Sequence, residues 1–218
     1  MVKKPTRAIA LAALLAAGAL TGSAVQHSAL AADHLDPPAR TDPDVDSIPD
    51  NAADIADVYT WYTANSVVIC LTFAGPAPAG RAAVYDRDVL YTINISNAGL
   101  PTDPEHQIRF RFGQDGSNFG VEITGLPDGG PAISGPVEQT ITRNGIKARA
   151  GLYDDPFFFD LQGFRTTRST GTLSFVNTRS FFTGTNDTSM VVEIPIEMVR
   201  GAGKLNIWAT TARFGGQK

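Results

Sequence analysis

Val89-Leu90-Tyr91-Thr92-Ile93-Asn94-Ile95-Ser96 decides the fold class. Val89, Tyr91, Ile93 and Ile95 alternate with Leu90, Thr92, Asn94 and Ser96, a period of two that sends successive side chains to opposite faces of a sheet. The same pattern recurs on both sides. Ile108, Phe110 and Phe112 alternate with Arg109 and Arg111, which places the arginines on an outer face. Met190, Val192, Ile194 and Ile196 alternate further on, and Leu205 to Thr211 supplies a last strand.

Upstream, Val58–Tyr62 and Ser66–Phe73 flank Ala64-Asn65 and read as a hairpin. The second arm is apolar on both faces, as expected of a central strand covered on both sides, with Cys70 a buried, inert thiol within it. Asp115-Gly116 turns the chain back into Val121–Thr124. Asp128-Gly129-Gly130-Pro131 breaks it again. Val137–Arg143, Asn144-Gly145 and Ile146–Ala150 form the plainest hairpin, because Asn-Gly readily takes the positive φ values of a type I′ turn. Ile146, Ala148 and Ala150 point inward from it, and Lys147 and Arg149 outward. Leu152–Phe164 is aromatic and interrupted by Asp-Pro. Leu173–Val176 reads as a short strand, Thr178–Phe182 as one helical turn and Glu197–Arg200 as a short turn. About ten short strands with no strand–helix alternation predict an all-β antiparallel sandwich or jelly roll.

The chain has 218 residues, 18 Lys and Arg, 22 Asp and Glu, and one cysteine. Lys3, Lys4 and Arg7 precede an apolar run from Ala8 to Leu20, and Ala29-Leu30-Ala31 is an A-x-A cleavage signal. Residues 1–31 are therefore expected to be a signal peptide, 32–53 an extended acidic arm and 54–218 a single domain. Export to the periplasm or beyond the cell follows, with no integral membrane segment after processing. The acidic balance disfavours nucleic acid as a partner, and no organic cofactor is expected. A lone Cys70 cannot make an internal disulfide, so stability must come from packing or from a metal.

Residues 33–57 read DHLDPPARTDPDVDSIPDNAADIAD, with eight Asp in 25 positions. Pro37, Pro38, Pro43 and Pro49 keep most of it out of helix and central strand. Cleavage before Ala32 would free Ala32-Asp33-His34. The terminal amine, two deprotonated amides and the His34 imidazole can then wrap Cu²⁺ or Ni²⁺ in a square plane of nitrogens. The Asp residues further on suit Ca²⁺, which takes hard oxygen donors. Asp42, Asp44 and Asp46 open like an EF-hand loop. Ser47 stands where that loop needs Gly, however, and Ala53 where it needs Glu. An oxygen cage would instead draw on Asp54 and Asp57 or, across the fold, on Asp154, Asp155, Asp160 and Asp187. The competing reading is that these residues cap turns by accepting backbone N–H bonds.

ADHLDPPARTDP, followed by Ala53-Asp54-Ile55-Ala56-Asp57-Val58-Tyr59, resembles a bacterial secreted family, domain of unknown function 4331. His34 and Pro37 match its Ser-Ser-His-Arg-Glu-Ala-Pro opening. Asp54, Asp57, Val58 and Tyr59 match its Asp-x-x-Asp-Val-Tyr motif, and Asp154–Phe164 and Asn186-Asp187-Thr188 are similar too. The resemblance implies a secreted protein with no assigned activity, so it transfers no catalytic residue.

G-x-S-x-G, P-loop, dinucleotide, C-x-x-C and H-E-x-x-H motifs do not occur. The leading expectation is a non-enzymatic exported protein that binds a cation. One alternative is a secreted hydrolase with a glycosidase-like carboxylate pair; such a pair must come from separate segments, because the adjacent Asp154 and Asp155 point to opposite faces of an extended chain. The other is a surface module that holds a glycan or a cell-surface partner on Tyr153, Phe157, Phe158 and Phe159.

Overall fold

A computed structural model describes residues 50–100 and 102–215, which belong to one compact unit. The strands are β1 (Ile55–Tyr62), β2 (Ser66–Pro78), β3 (Val89–Ser96), β4 (His106–Asp115), β5 (Asn118–Thr124), β6 (Ile133–Pro136), β7 (Ile141–Arg143), β8 (Ile146–Asp154), β9 (Thr185–Pro195) and β10 (Asn206–Arg213). The helices are α1 (Leu161–Thr170) and the single turn α2 (Ile196–Val199). One sheet runs β1-β2-β9-β8-β7 and the other β10-β3-β4-β5-β6, with every pairing antiparallel. The protein is a β-sandwich.

The alternation in the sequence explains the core. Ile69, Leu71 and Phe73 of β2, Met190, Val192 and Ile194 of β9, and Ile146, Ala148 and Ala150 of β8 form one inner face. Tyr91, Ile93 and Ile95 of β3 and Ile108, Phe110 and Phe112 of β4 form the other. The Phe73 and Tyr91 rings meet across the gap, with centroids 4.2 Å apart. The buried Tyr91 hydroxyl donates to the Ala52 carbonyl at 2.5 Å, which satisfies a polar group inside the core.

Several local expectations change. Residues 50–53, expected to end the arm, pack into the domain. Ala52 is buried in the core, and the Ala53 carbonyl accepts from Thr211 Oγ1 at 2.7 Å. The Asn144-Gly145 hairpin forms with φ of 48° and 84°, but its first arm is only β7. Glu138 takes a φ of 62°, and the chain crosses there from the second sheet, where β6 pairs with β5, to the first.

Helix α1 lies where no helix was expected, because its Thr, Ser and Gly residues have weak helical propensity. Its ends explain it. Asp160 caps the first turn by accepting from Gly163 N at 2.9 Å, and Gly171 closes the last with a φ of 70°. Residues 173–176 are not a strand: Ser174 N donates to Thr167 Oγ1 and Val176 N to Asp160 Oδ2, so side chains replace a ladder partner. Residues 181–184 are a turn.

Strand β2 is central in its sheet but covered on one side only. Its second apolar face, with Val68 and Cys70, lines an open groove.

Candidate functional site

Antiparallel register lines up the outer side chains of the first sheet. Asp57 stands opposite Thr72, Thr72 opposite Ser189, and Tyr153 opposite Asp187. The result is a groove of about 650 Å³ across the outer face. Tyr59 and Trp61 of β1 form one wall, Val68, Cys70 and Val191 the floor, and Tyr153 of β8 the other wall. The Arg149 guanidinium lies 5.9 Å from the Tyr153 ring centroid, in cation–π range. Burial pushes the Cys70 thiol up to about 11, so at neutral pH it stays protonated and poorly nucleophilic.

Carboxylates gather at one end of this face. Strand β2 bulges between Phe73 and Ala77, and Ala74 takes a φ of 56°. Asp187, near the start of β9, fills the space beside the bulge. It is 1% exposed, and neither carboxylate oxygen has a hydrogen-bond partner. A Cβ on Gly75 would fall 1.6 Å from Asp187 Oδ1, so glycine is what lets the carboxylate sit there. Burial pushes the Asp187 carboxyl up to about 7, and the nearby charges of Asp155 and then Asp57 push it the same way.

Asp57 is buried, accepts from the Tyr59 hydroxyl at 2.7 Å, and donates its backbone N–H to Thr72 Oγ1 at 2.9 Å. Burial, then that bond to Asp57, raises the Tyr59 phenol far above its usual range. Asp155 Oδ1 accepts from Phe157 N at 2.8 Å. Among the described residues, no group of three His, Cys, Asp or Glu side chains is arranged to hold a metal ion as it stands.

The residues expected to act thus separate. Asp155 and Asp57 stand near enough to Asp187 for their charges to act on it. Asp54 offers its backbone carbonyl to Ala74 N at 3.0 Å, beside the bulge. Asp154 is exposed at the rim of the groove. Asp160 belongs elsewhere and is structural. Arg179 holds it in a two-pronged pair at 2.6 and 2.8 Å, and with the bonds from Gly163 N and Val176 N this keeps its carboxyl well below the usual range. Ala32, Asp33 and His34 lie outside the described residues. The aromatic set does not form one platform either. Tyr153 walls the groove, while Phe157 and Phe159 stack at 6.0 Å in a separate lobe where Phe158 is exposed. Sequence reading missed Thr72, Gly75 and the groove; the doubly apolar face of β2 was their one visible signal.

Comparisons with family models, with curated proteins and with solved structures gave no match for this chain.

Proposed function

We propose that this chain is an exported, non-enzymatic β-sandwich protein of the domain of unknown function 4331 type, and that it binds a small hard cation, Ca²⁺, at Asp57, Asp155 and Asp187. The observation that carries the reading is Asp187, a buried carboxylate with two unpartnered oxygens beside two further carboxylates. A charge in that position must be neutralised by a proton or by a cation. Oxygen donors match Ca²⁺ in chemistry, and the carbonyls of the β2 bulge can add to them. Binding would require the three carboxylates to close on one point.

Enclosure argues against a general acid. A substrate in the groove would meet Thr72, Cys70 and Ser189, while Asp187 is sealed behind the bulge. Ca²⁺ titration by calorimetry on wild type and Asp187→Asn tests the site. Heat and a higher Tm in wild type alone are expected; no heat in wild type rejects calcium. The Ala32-Asp33-His34 nitrogen site is a separate proposal. Mass spectrometry of the exported protein tests it, and a first residue other than Ala32 removes it.

A further inference from the structure

The excursion between β8 and β9 folds back on itself as a lobe with its own aromatic cluster. Phe159 sits in it, 5.5 Å from Phe164 and 6.4 Å from Phe175 by ring centroids. Phe157 links Phe159 to Phe182 at 5.1 Å, and Phe182 meets Phe181 at 5.1 Å. Asp160 locks the two limbs together through Gly163 N, Val176 N and Arg179. This cluster is not closed over. Phe158 (58% exposed), Phe164, Leu173 (77%), Phe175, Val176 and Phe181 face solvent. They are six of the ten large exposed apolar side chains among the described residues, concentrated in one short stretch. Such a concentration marks a contact surface rather than the usual scatter.

The charge of the lobe is the reverse of the chain's. Residues 157–183 contain Arg165, Arg168 and Arg179 against one acid, Asp160, which pairs with Arg179 and leaves Arg165 and Arg168 as the lobe's excess charge, in a chain whose formal net charge is −4. Arg165 and Arg168 are exposed on α1, and the Arg168 guanidinium lies 5.9 Å from the Phe164 ring centroid. Arg165 also lines a cleft of about 360 Å³ beside Phe181, next to the Asp160–Arg179 pair. Exposed Phe and Leu flanked by arginine is the composition that enters the boundary between lipid headgroups and acyl chains, where the rings gain apolar contact and the guanidiniums meet phosphate. From this surface we infer that the lobe at residues 157–183 docks the protein on an anionic phospholipid bilayer, with the aromatic side chains inserted shallowly and Arg165 and Arg168 on the headgroups.

Co-sedimentation tests this with exported protein whose N terminus has been checked by mass spectrometry. The vesicles are phosphatidylcholine alone and phosphatidylcholine with phosphatidylglycerol. Binding at least about tenfold stronger to the anionic vesicles, falling with added salt, is expected. Arg165→Glu with Arg168→Glu should remove about tenfold or more of it, and Phe175→Ser with Phe181→Ser a similar factor. All four positions are exposed, so an unchanged Tm shows that the variants remain folded. No binding to either vesicle, equal binding to both, or variants that bind like wild type would overturn the inference. So would retention on an insoluble polysaccharide without vesicle binding, which would assign the lobe to a glycan.

Discussion

Asp187 sets the balance of charge on the outer face of the first sheet. Its carboxyl ionises near pH 7 in the folded chain and near the ordinary value of about 4 in the unfolded chain. The folded state therefore binds the extra proton between those limits. The stabilisation is fully present below about pH 4 and is lost as pH rises through 7. With chelator present, wild type should lose stability relative to Asp187→Asn between pH 5 and pH 8, by at most about 2–3 kcal/mol, read from urea melts at both pH values. Parallel curves would show that Asp187 is not perturbed. If Ca²⁺ displaces that proton, its effect on Tm should be larger at pH 8 than at pH 5. Gly75→Ala tests the same pocket sterically. Its methyl group would land 1.6 Å from a buried oxygen. A cost of about 2–3 kcal/mol is expected, with loss of any calcium response.

Strand β2 packs one face into the core and turns the other to the groove. Ile69 points into the core and is fully buried, whereas Cys70 points into the groove and is half-buried. Ile69→Ala should cost about 3 kcal/mol, because it leaves a cavity between two close-packed sheets. Cys70→Ala should cost about 1 kcal/mol or less, because its side chain borders open space. Denaturant melts of the two variants decide this. Equal costs would mean that the outer face is as tightly covered as the inner one. Helix α1 makes a related point. Its caps at Asp160 and Gly171 are present in the sequence, but the Asp160–Arg179 pair that pins it is formed by residues 19 apart.

Across the whole molecule, β10 is tied to both chain segments that enter the sandwich. Arg213, almost fully buried, donates Nη2 to Asp50 Oδ1 at 2.5 Å and to Asp86 Oδ2 at 3.0 Å, and Nε to Asp50 Oδ2. These partners lie before β1 and before β3, so one guanidinium fixes three distant parts of the chain. Removing it would leave two carboxylates facing each other. Arg213→Ala should therefore cost about 3 kcal/mol or more in a thermal or urea melt. A loss below about 1 kcal/mol would reduce the cluster to a surface pair. Among the described residues no helix is long and apolar enough to cross a membrane.

Alternation alone determined that this chain is β, which residues face inward, and where Asn144-Gly145 reverses it. Those signals are local: side-chain direction flips at every residue, and a turn needs only its own φ values. The partnership of Asp57, Asp155 and Asp187 was not local. It arises because β1, β2, β9 and β8 lie side by side in one sheet, which brings together residues separated by up to 130 positions. Sequence supplied an excess of aspartates without distinguishing Asp160, neutralised by an arginine, from Asp187, buried with none. Only tertiary structure decided that, because the desolvation and neighbouring charges that set a carboxylate's chemistry are properties of the space it folds into.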